Sequence, residues 1–287
     1  MKQLVMMACL CLWAWSPSVK AQQKEFKETI TKELPLSNST NNTVVVKNVF
    51  GSVNVEGYQG NKVILEVERK ITANNSEDLE LGKKELQLKI IQEDNRIIFH
   101  PDAPYINFKV DGLQYNWCNN NQNVPYEHTL TFNLKVPNTV QIHVSTVNNG
   151  VIDVKNIQSK SIVAENINGG ITLNNISGKT WVSCINGPVD ISYAENPKEE
   201  SVYHTINGDI TIAYQQALSA NISFKSMNGE MYTDFDINKR FTKTTKNKGD
   251  ESRPKYKFEA RPVVQIGSGQ VDFNIETLNG DVFIKKI

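Results

Sequence analysis

Apolar and polar residues alternate in short runs along most of this chain, the period of a half-buried β-strand. Thr43–Val55 (TVVVKNVFGSVNV), Lys62–Thr72, His128–Val136 and Val140–Val147 read as strands, the last two flanking a Pro137-Asn138 turn. One stretch departs from the pattern. Ser76–Lys89 (SEDLELGKKELQLK) opens like a helix, with Ser76 as N-cap and Asp78 and Glu80 in the first turn, then drifts into alternation. The pattern predicts a short helix feeding a strand.

A repeat carries the second half. Apolar-Asn-Gly-x-apolar-x-apolar, or close to it, recurs at Asn149-Gly150, Asn168-Gly169, Asn186-Gly187, Asn207-Gly208, Asn228-Gly229 and Asn279-Gly280. The first five asparagines are 19, 18, 21 and 21 residues apart, and the last gap of 51 leaves room for about one more coil plus an inserted loop. Further strands such as Ser161–Ala164 and Ala220–Phe224 lie between. Asn-Gly between apolar runs ordinarily signals a hairpin. A two-residue hairpin would oppose Ile206 to Asp209 and Leu278 to Asp281, whereas apolar parity runs through the motif as Ile206, Gly208, Ile210, Ile212. An inward glycine allows close backbone approach, and asparagine tolerates the left-handed conformation of a corner. The expectation is an all-β, single-chain β-solenoid with these twelve Asn and Gly residues as corners about every 20 residues.

The first 21 residues read as an export signal: Lys2, an apolar run of twelve from Leu4 to Trp15, then Val19 and Ala21 at the −3 and −1 positions. Cys9 leaves too short a core for a lipoprotein site, and Cys11 follows Leu10 where a small residue is wanted. Removing Lys2 and Lys20 leaves 29 basic against 31 acidic residues. That balance speaks against a nucleic-acid binder. No other stretch is long and apolar enough to span a bilayer, so the mature chain is expected in the periplasm or at the cell surface. The expected organisation is a signal at 1–21, an N-terminal β region at 22–145 with a long aromatic and Asn-rich loop at 101–127, and a regular solenoid at 146–287 with a charged insert at 234–262. Together 22–287 forms one continuous domain. The chain closes on a strand-like Val282–Ile287 without a sorting pattern, so no C-terminal wall anchor is expected.

These features taken together (an exported N-terminal region, Val136-Pro137-Asn138, and serial Asn-Gly-x-Ile-x-Val segments) resemble the putative-adhesin family of bacterial envelope proteins, common in Bacteroidetes-like bacteria. The resemblance covers about residues 40 to 287. It implies β-solenoid domains and says little about activity. The chain departs from a plain member in the segments 101–127 and 234–262.

Candidate chemistry is sparse. Asp209, Glu230 and Asp281 share the position after Asn-Gly, and Asp153 and Asp190 share one two further on. In a regular stack such residues form a ladder able to hold Ca²⁺, but Gly170, Pro188, Thr172 and Thr211 interrupt it. The four histidines, His100, His128, His143 and His204, show no ligand spacing, and no phosphate loop or serine elbow is present. Neither a catalytic residue, a metal site nor a cofactor is expected. An oxidising compartment permits a disulfide between Cys118 and Cys184, although Cys184 suits a strand equally well as a small buried residue.

Binding is more promising. Tyr105, Tyr115, Trp117 and Tyr126 lie among amides between Pro101 and Tyr126, the mixture a sugar-binding surface uses. The same rings would also serve to pack the loop. The basic run from Asp236 to Arg261 suits anionic polysaccharide or lipid headgroups, or else a solvated loop. Glu25–Leu36 is a candidate end cap for the open edge. The chain thus reads as an exported, non-catalytic binding or scaffolding surface of the cell envelope, whose partner is a glycan, a host-matrix component or an envelope protein. The alternatives are a polysaccharide-active β-helix enzyme and an envelope-stress or assembly component.

Overall fold

The computed structural model describes residues 23–37, 39–116, 124–248 and 256–287. Residues 1–21, expected from the sequence to be an export signal, lie outside them, as do Trp117, Cys118 and the amide run at 119–123. The described residues are all-β with one helix. In order it forms β1 (Lys24–Pro35), β2 (Thr43–Lys47), β3 (Val53–Tyr58), β4 (Lys62–Ala73), α1 (Ser76–Glu85), β5 (Gln87–Gln92), β6 (Arg96–Asp102), β7 (Phe108–Lys109), β8 (Gln114–Tyr115) and β9 (Tyr126–Pro137). There follow β10 (Gln141–Thr146), β11 (Ile152–Lys155), β12 (Gln158–Asn168), β13 (Ile171–Asn186), β14 (Val189–Tyr193), β15 (Ser201–His204), β16 (Ile210–Tyr214), β17 (Ala220–Lys225) and β18 (Met231–Thr233). The last are β19 (Lys239–Lys248), β20 (Tyr256–Ile266), β21 (Val271–Glu276) and β22 (Val282–Lys286).

The expected helix and strand appear with one adjustment. Asn75, not Ser76, is the N-cap, and its side chain accepts from the Asp78 amide. Asn75 already sits at the non-helical end of the turn, so its oxygen reaches the free N–H groups first.

The strands build two faces that curl toward each other. One runs β1-β4-β9-β3-β11-β13-β14-β16-β22-β18. The other runs β5-β6-β2-β10-β12-β13-β15-β21-β17-β20-β19. β13 bends from one to the other, so 20 described strands form one curled sheet. The strands flanking Asn207-Gly208, β15 and β16, pair with different neighbours rather than with each other. The motif is therefore not a hairpin. Each strand instead pairs in parallel with a counterpart from another repeat.

The levels do not follow chain order. Asn279 bridges Asn207 on one side and Asn228 on the other, and β21 and β22 lie between β15 and β17 and between β16 and β18. The 51-residue gap therefore holds no additional repeat. Strands β19 and β20 leave as a two-stranded ribbon, and the chain returns to insert its last strands one level in from the end. The first end mirrors this, with β2 and β3 lying between β6 and β9 on one side and β10 and β11 on the other.

Inward parity also differs from the sequence expectation. Ser201, Tyr203 and Thr205 are buried before the motif and Ile210, Ile212 and Tyr214 after it, while Ile206 is only half-buried and Leu278 and Ile167 are exposed. Parity flips across Asn-Gly because a polar residue two before the asparagine takes the inward place. Thr146, Asn166, Cys184, Thr205 and Thr277 occupy it, and each donates to the carbonyl of a glycine one level away: Gly51, Gly150, Gly169, Gly187 and Gly208 respectively. Cys184 is a free buried thiol filling the same role as threonine. The pairing partner considered for it, Cys118, is not among the described residues.

Outside this row the asparagine amides hydrogen-bond level to level. Asn168 donates to Asn148, Asn186 to Asn168, Asn207 to Asn186, Asn279 to Asn207 and Asn228 to Asn279, at 2.6–2.8 Å. Asn148 rather than Asn149 belongs to this row, since Asn149 takes a left-handed conformation at φ 56°. Between the faces the core is aliphatic, with one aromatic stack. Tyr193, Tyr214 and Phe273 lie parallel at 5.2 and 5.3 Å, and the Tyr193, Tyr203 and Tyr214 hydroxyls hydrogen-bond one another at 2.7 and 3.1 Å. That chain helps to satisfy three buried hydroxyls.

A β-carbon at Gly208 would fall inside the Gly187 carbonyl, and its φ is +150°. Gly208→Ala should therefore cost about 3 kcal/mol or more. At Gly170, where a β-carbon meets Pro188 at 3.4 Å, alanine should change stability by about 0.5 kcal/mol or less. Denaturant titration of the two variants measures the contrast.

Candidate functional site

The antiparallel pair β4 and β9 sets Ala73 opposite Tyr126, Thr72 opposite Glu127 and Ile71 opposite His128. Alternation places Tyr126 and His128 at the same parity as Leu130 and Phe132, which are buried in the core. Tyr126 is buried and donates to Glu85 Oε2 at 2.9 Å, at the end of α1. Gly82 lies against it: a β-carbon there would crowd the Tyr126 ring and Ile71. That contact explains a glycine inside a helix, where it is otherwise unfavourable.

Tyr105 comes down from the segment after β6. Its hydroxyl lies 3.0 Å from His128 Nδ1 and its ring 6.1 Å from that of Tyr126. Phe50 meets the His128 ring edge-on at 5.1 Å. Burial pushes the His128 imidazole down to about 4, so it is neutral at pH 7. Its Nε2 is buried without a hydrogen-bond partner among the described residues. These rings border a cleft of about 660 Å³ whose polar side carries Lys70, Thr72, Glu127 and Asn149. Lys70 also holds Glu25 of β1 at 2.6 Å. Apolar ring faces beside exposed amide, hydroxyl and charged groups suit an uncharged, hydroxyl-rich ligand.

The four aromatics singled out in the sequence thus separate. Tyr105 and Tyr126 border one cleft. Tyr115 instead packs on Phe108 at 5.1 Å and donates to the Lys47 carbonyl at 2.6 Å. Phe108 in turn covers His100 at 4.4 Å, so β7 and β8 are held against the sheet by their rings. Trp117 is not among the described residues. His128 and Phe50 were not legible as site residues. The only signal was parity, which aligns His128 with the inward Leu130, Phe132 and Leu134.

Other candidates serve the fold. Lys47 Nζ sits 2.6 Å from Glu165 Oε2 and 2.8 Å from His143 Nε2. Burial alone would raise the Glu165 carboxyl, but the His143 hydrogen bond and the Lys47 charge outweigh it and hold it at about 2. The acidic row is less interrupted than the chain order suggests, because the inserted last strands bring three of its members together. Asp209 accepts from the Asp281 amide at 2.8 Å, and Asp281 from that of Glu230 at 2.9 Å. These carboxylates cap backbone N–H groups of the next level. Asp153 and Asp190 remain separated by Thr172. Among the described residues, no group of three or more His, Cys, Asp and Glu is placed to hold a metal ion.

No family model matches the chain, and no curated protein does. Three solved structures are similar to it. A putative cell adhesion protein from Clostridium sporogenes is 12% identical with a TM-score of 0.39, covering 91% of this chain and 100% of that one. A putative adhesin from Bacteroides fragilis is 10% identical at a TM-score of 0.33, covering 91% and 97%. A putative lipid binding protein from Parabacteroides distasonis is 11% identical at 0.26, covering 90% and 96%. Likeness at this distance sets neither a family nor an activity. No helix among the described residues is long and apolar enough to cross a membrane.

Since folding lowers the affinity of His128 for its proton, stability should fall as pH drops from about 6.5 toward 4. His128→Gln keeps a partner for Tyr105 and removes the titration. Melting temperatures across that pH range should fall less steeply in the variant than in the parent.

Proposed function

We propose that this chain is an exported, non-catalytic β-solenoid of the bacterial envelope, one continuous domain over 22–287 with its Asn-Gly segments as corners, acting as a binding surface. Support for the solenoid comes from the parallel pairing of successive repeats and from the level-to-level asparagine bonds. The export reading rests on the leader-like first 21 residues. The observation that carries the binding role is the cleft bordered by Phe50, Tyr105, Tyr126 and His128. It joins aromatic faces to the polar groups of Thr72, Glu127 and Asn149 on one rim. The ligand class it favours is a glycan, free or on a host-matrix or envelope partner.

A glycan array probed with the exported chain tests this. Binding should fall at least about tenfold in Glu127→Ala/Asn149→Ala, which alters the polar rim and leaves the buried rings in place. Binding that the double variant leaves intact moves the site elsewhere, and a blank array against both glycans and matrix proteins sinks the reading.

A further inference from the structure

The ribbon of β19 and β20 is the most strongly charged part of the molecule. Its described strands carry Lys239, Arg240, Lys243, Lys246, Lys248, Lys257 and Arg261 against Glu259 alone, while the whole chain balances 31 basic with 31 acidic residues. It joins the body over only a short stretch, where β17 pairs with β20 from Ala220↔Ile266 to Ser223↔Val263. Outward of Val263, β20 has no strand partner among the described residues except β19.

The register sorts the ribbon into two parities. On one, Lys243 and Arg261 stand opposite each other and turn back to the sheet, pairing with Asp272 at 2.7 Å and Glu276 at 3.3 Å. On the other, Arg240, Thr242, Thr244, Lys246 and Lys248 stand opposite Val264, Pro262, Ala260, Phe258 and Tyr256. A basic strand thus lies beside an apolar and aromatic one. Lysines alone would be accounted for as protection of an open edge. Val264 at the base of that line packs against the core, but protection of an open edge does not call for the apolar Pro262, Ala260, Phe258 and Tyr256 at the register positions opposite the basic strand.

We propose that this ribbon is a docking arm for an anionic lipid surface. Cations meet the phosphate headgroups while the apolar and aromatic positions settle at the boundary with the acyl chains. An anionic polysaccharide would satisfy the charge but not the apolar line. The proposal is independent of the cleft, and either can fail alone.

Co-sedimentation of the exported chain with vesicles tests it, comparing pure phosphatidylcholine with phosphatidylcholine containing a quarter phosphatidylglycerol. Binding is expected to the anionic vesicles only, and to weaken as salt rises to about 0.15 M and beyond. Lys246→Glu/Lys248→Glu should lower the partition about tenfold or more, Phe258→Ser should lower it with the salt dependence retained, and the control Lys179→Glu/Lys198→Glu should bind like the parent. The parent's preference between the two vesicles decides the matter even if a variant fails to fold. Absence of binding to anionic vesicles, equal binding to neutral ones, equal loss in the control, or capture by dextran sulfate with none by vesicles overturns it.

Discussion

How closely one Asn-Gly segment can lie on the next governs this structure. At Gly150, Gly169, Gly187, Gly208, Gly280 and Gly229 a β-carbon would collide with the carbonyl of the glycine one level away. Backbones this close leave their carbonyls pointing where water cannot follow, so each needs a donor from the protein. Thr146, Asn166, Cys184, Thr205 and Thr277 supply it to Gly51, Gly150, Gly169, Gly187 and Gly208. A buried carbonyl left without a donor costs about 1–3 kcal/mol, and the penalty would recur at each level. The outer asparagine amides complete the arrangement by bonding along the same direction. Glycine, inner donor and outer amide are thus three parts of one constraint, repeated along the stack.

That constraint tolerates any order of levels, and the chain uses this freedom at both ends. The last strands enter one level in from the end, next to residues laid down some 70 positions earlier, since Asn279 bonds Asn207. Contacts of such separation carry a large closure entropy and slow folding. The same insertion seals the stack, because the outer level cannot be completed until the terminus is in place. It also gathers Asp209, Asp281 and Glu230 onto neighbouring levels. The exposed flanks are handled by charge: β1, with its alternating lysines and glutamates, closes one edge, and the basic β19 closes another.

The candidate cleft arises where the repeat stops. β9 runs longer than the strands stacked on it, carrying Tyr126 and His128 past the last Asn-Gly level, and α1 and Tyr105 close over them. A neutral, half-buried histidine with one ring nitrogen engaged and the other unmatched is one of a few such exceptions among the described residues, beside Asn166 Oδ1 and Ser226 Oγ. Such exceptions are where function is ordinarily sought.

The alternation of the chain by itself determined that it is all-β with one short helix, because side-chain period and capping are local properties. The recurrence of Asn-Gly likewise showed where the chain repeats, and its glycines showed where backbones meet. Which way residues face across the motif was not local. The apolar Ile206 looked inward until Thr205 proved to be needed by the Gly187 carbonyl, a partner some 18 residues away. The order of levels was equally hidden, since a 51-residue gap has the same sequence whether the chain continues outward or turns back. The rings of the 101–127 segment were legible as rings, but their separation into cleft and packing depended on Lys47, Glu85 and His128 on other strands and on the helix. Tertiary structure decided these matters because hydrogen-bond satisfaction and close packing are set between levels, and no single repeat contains both partners.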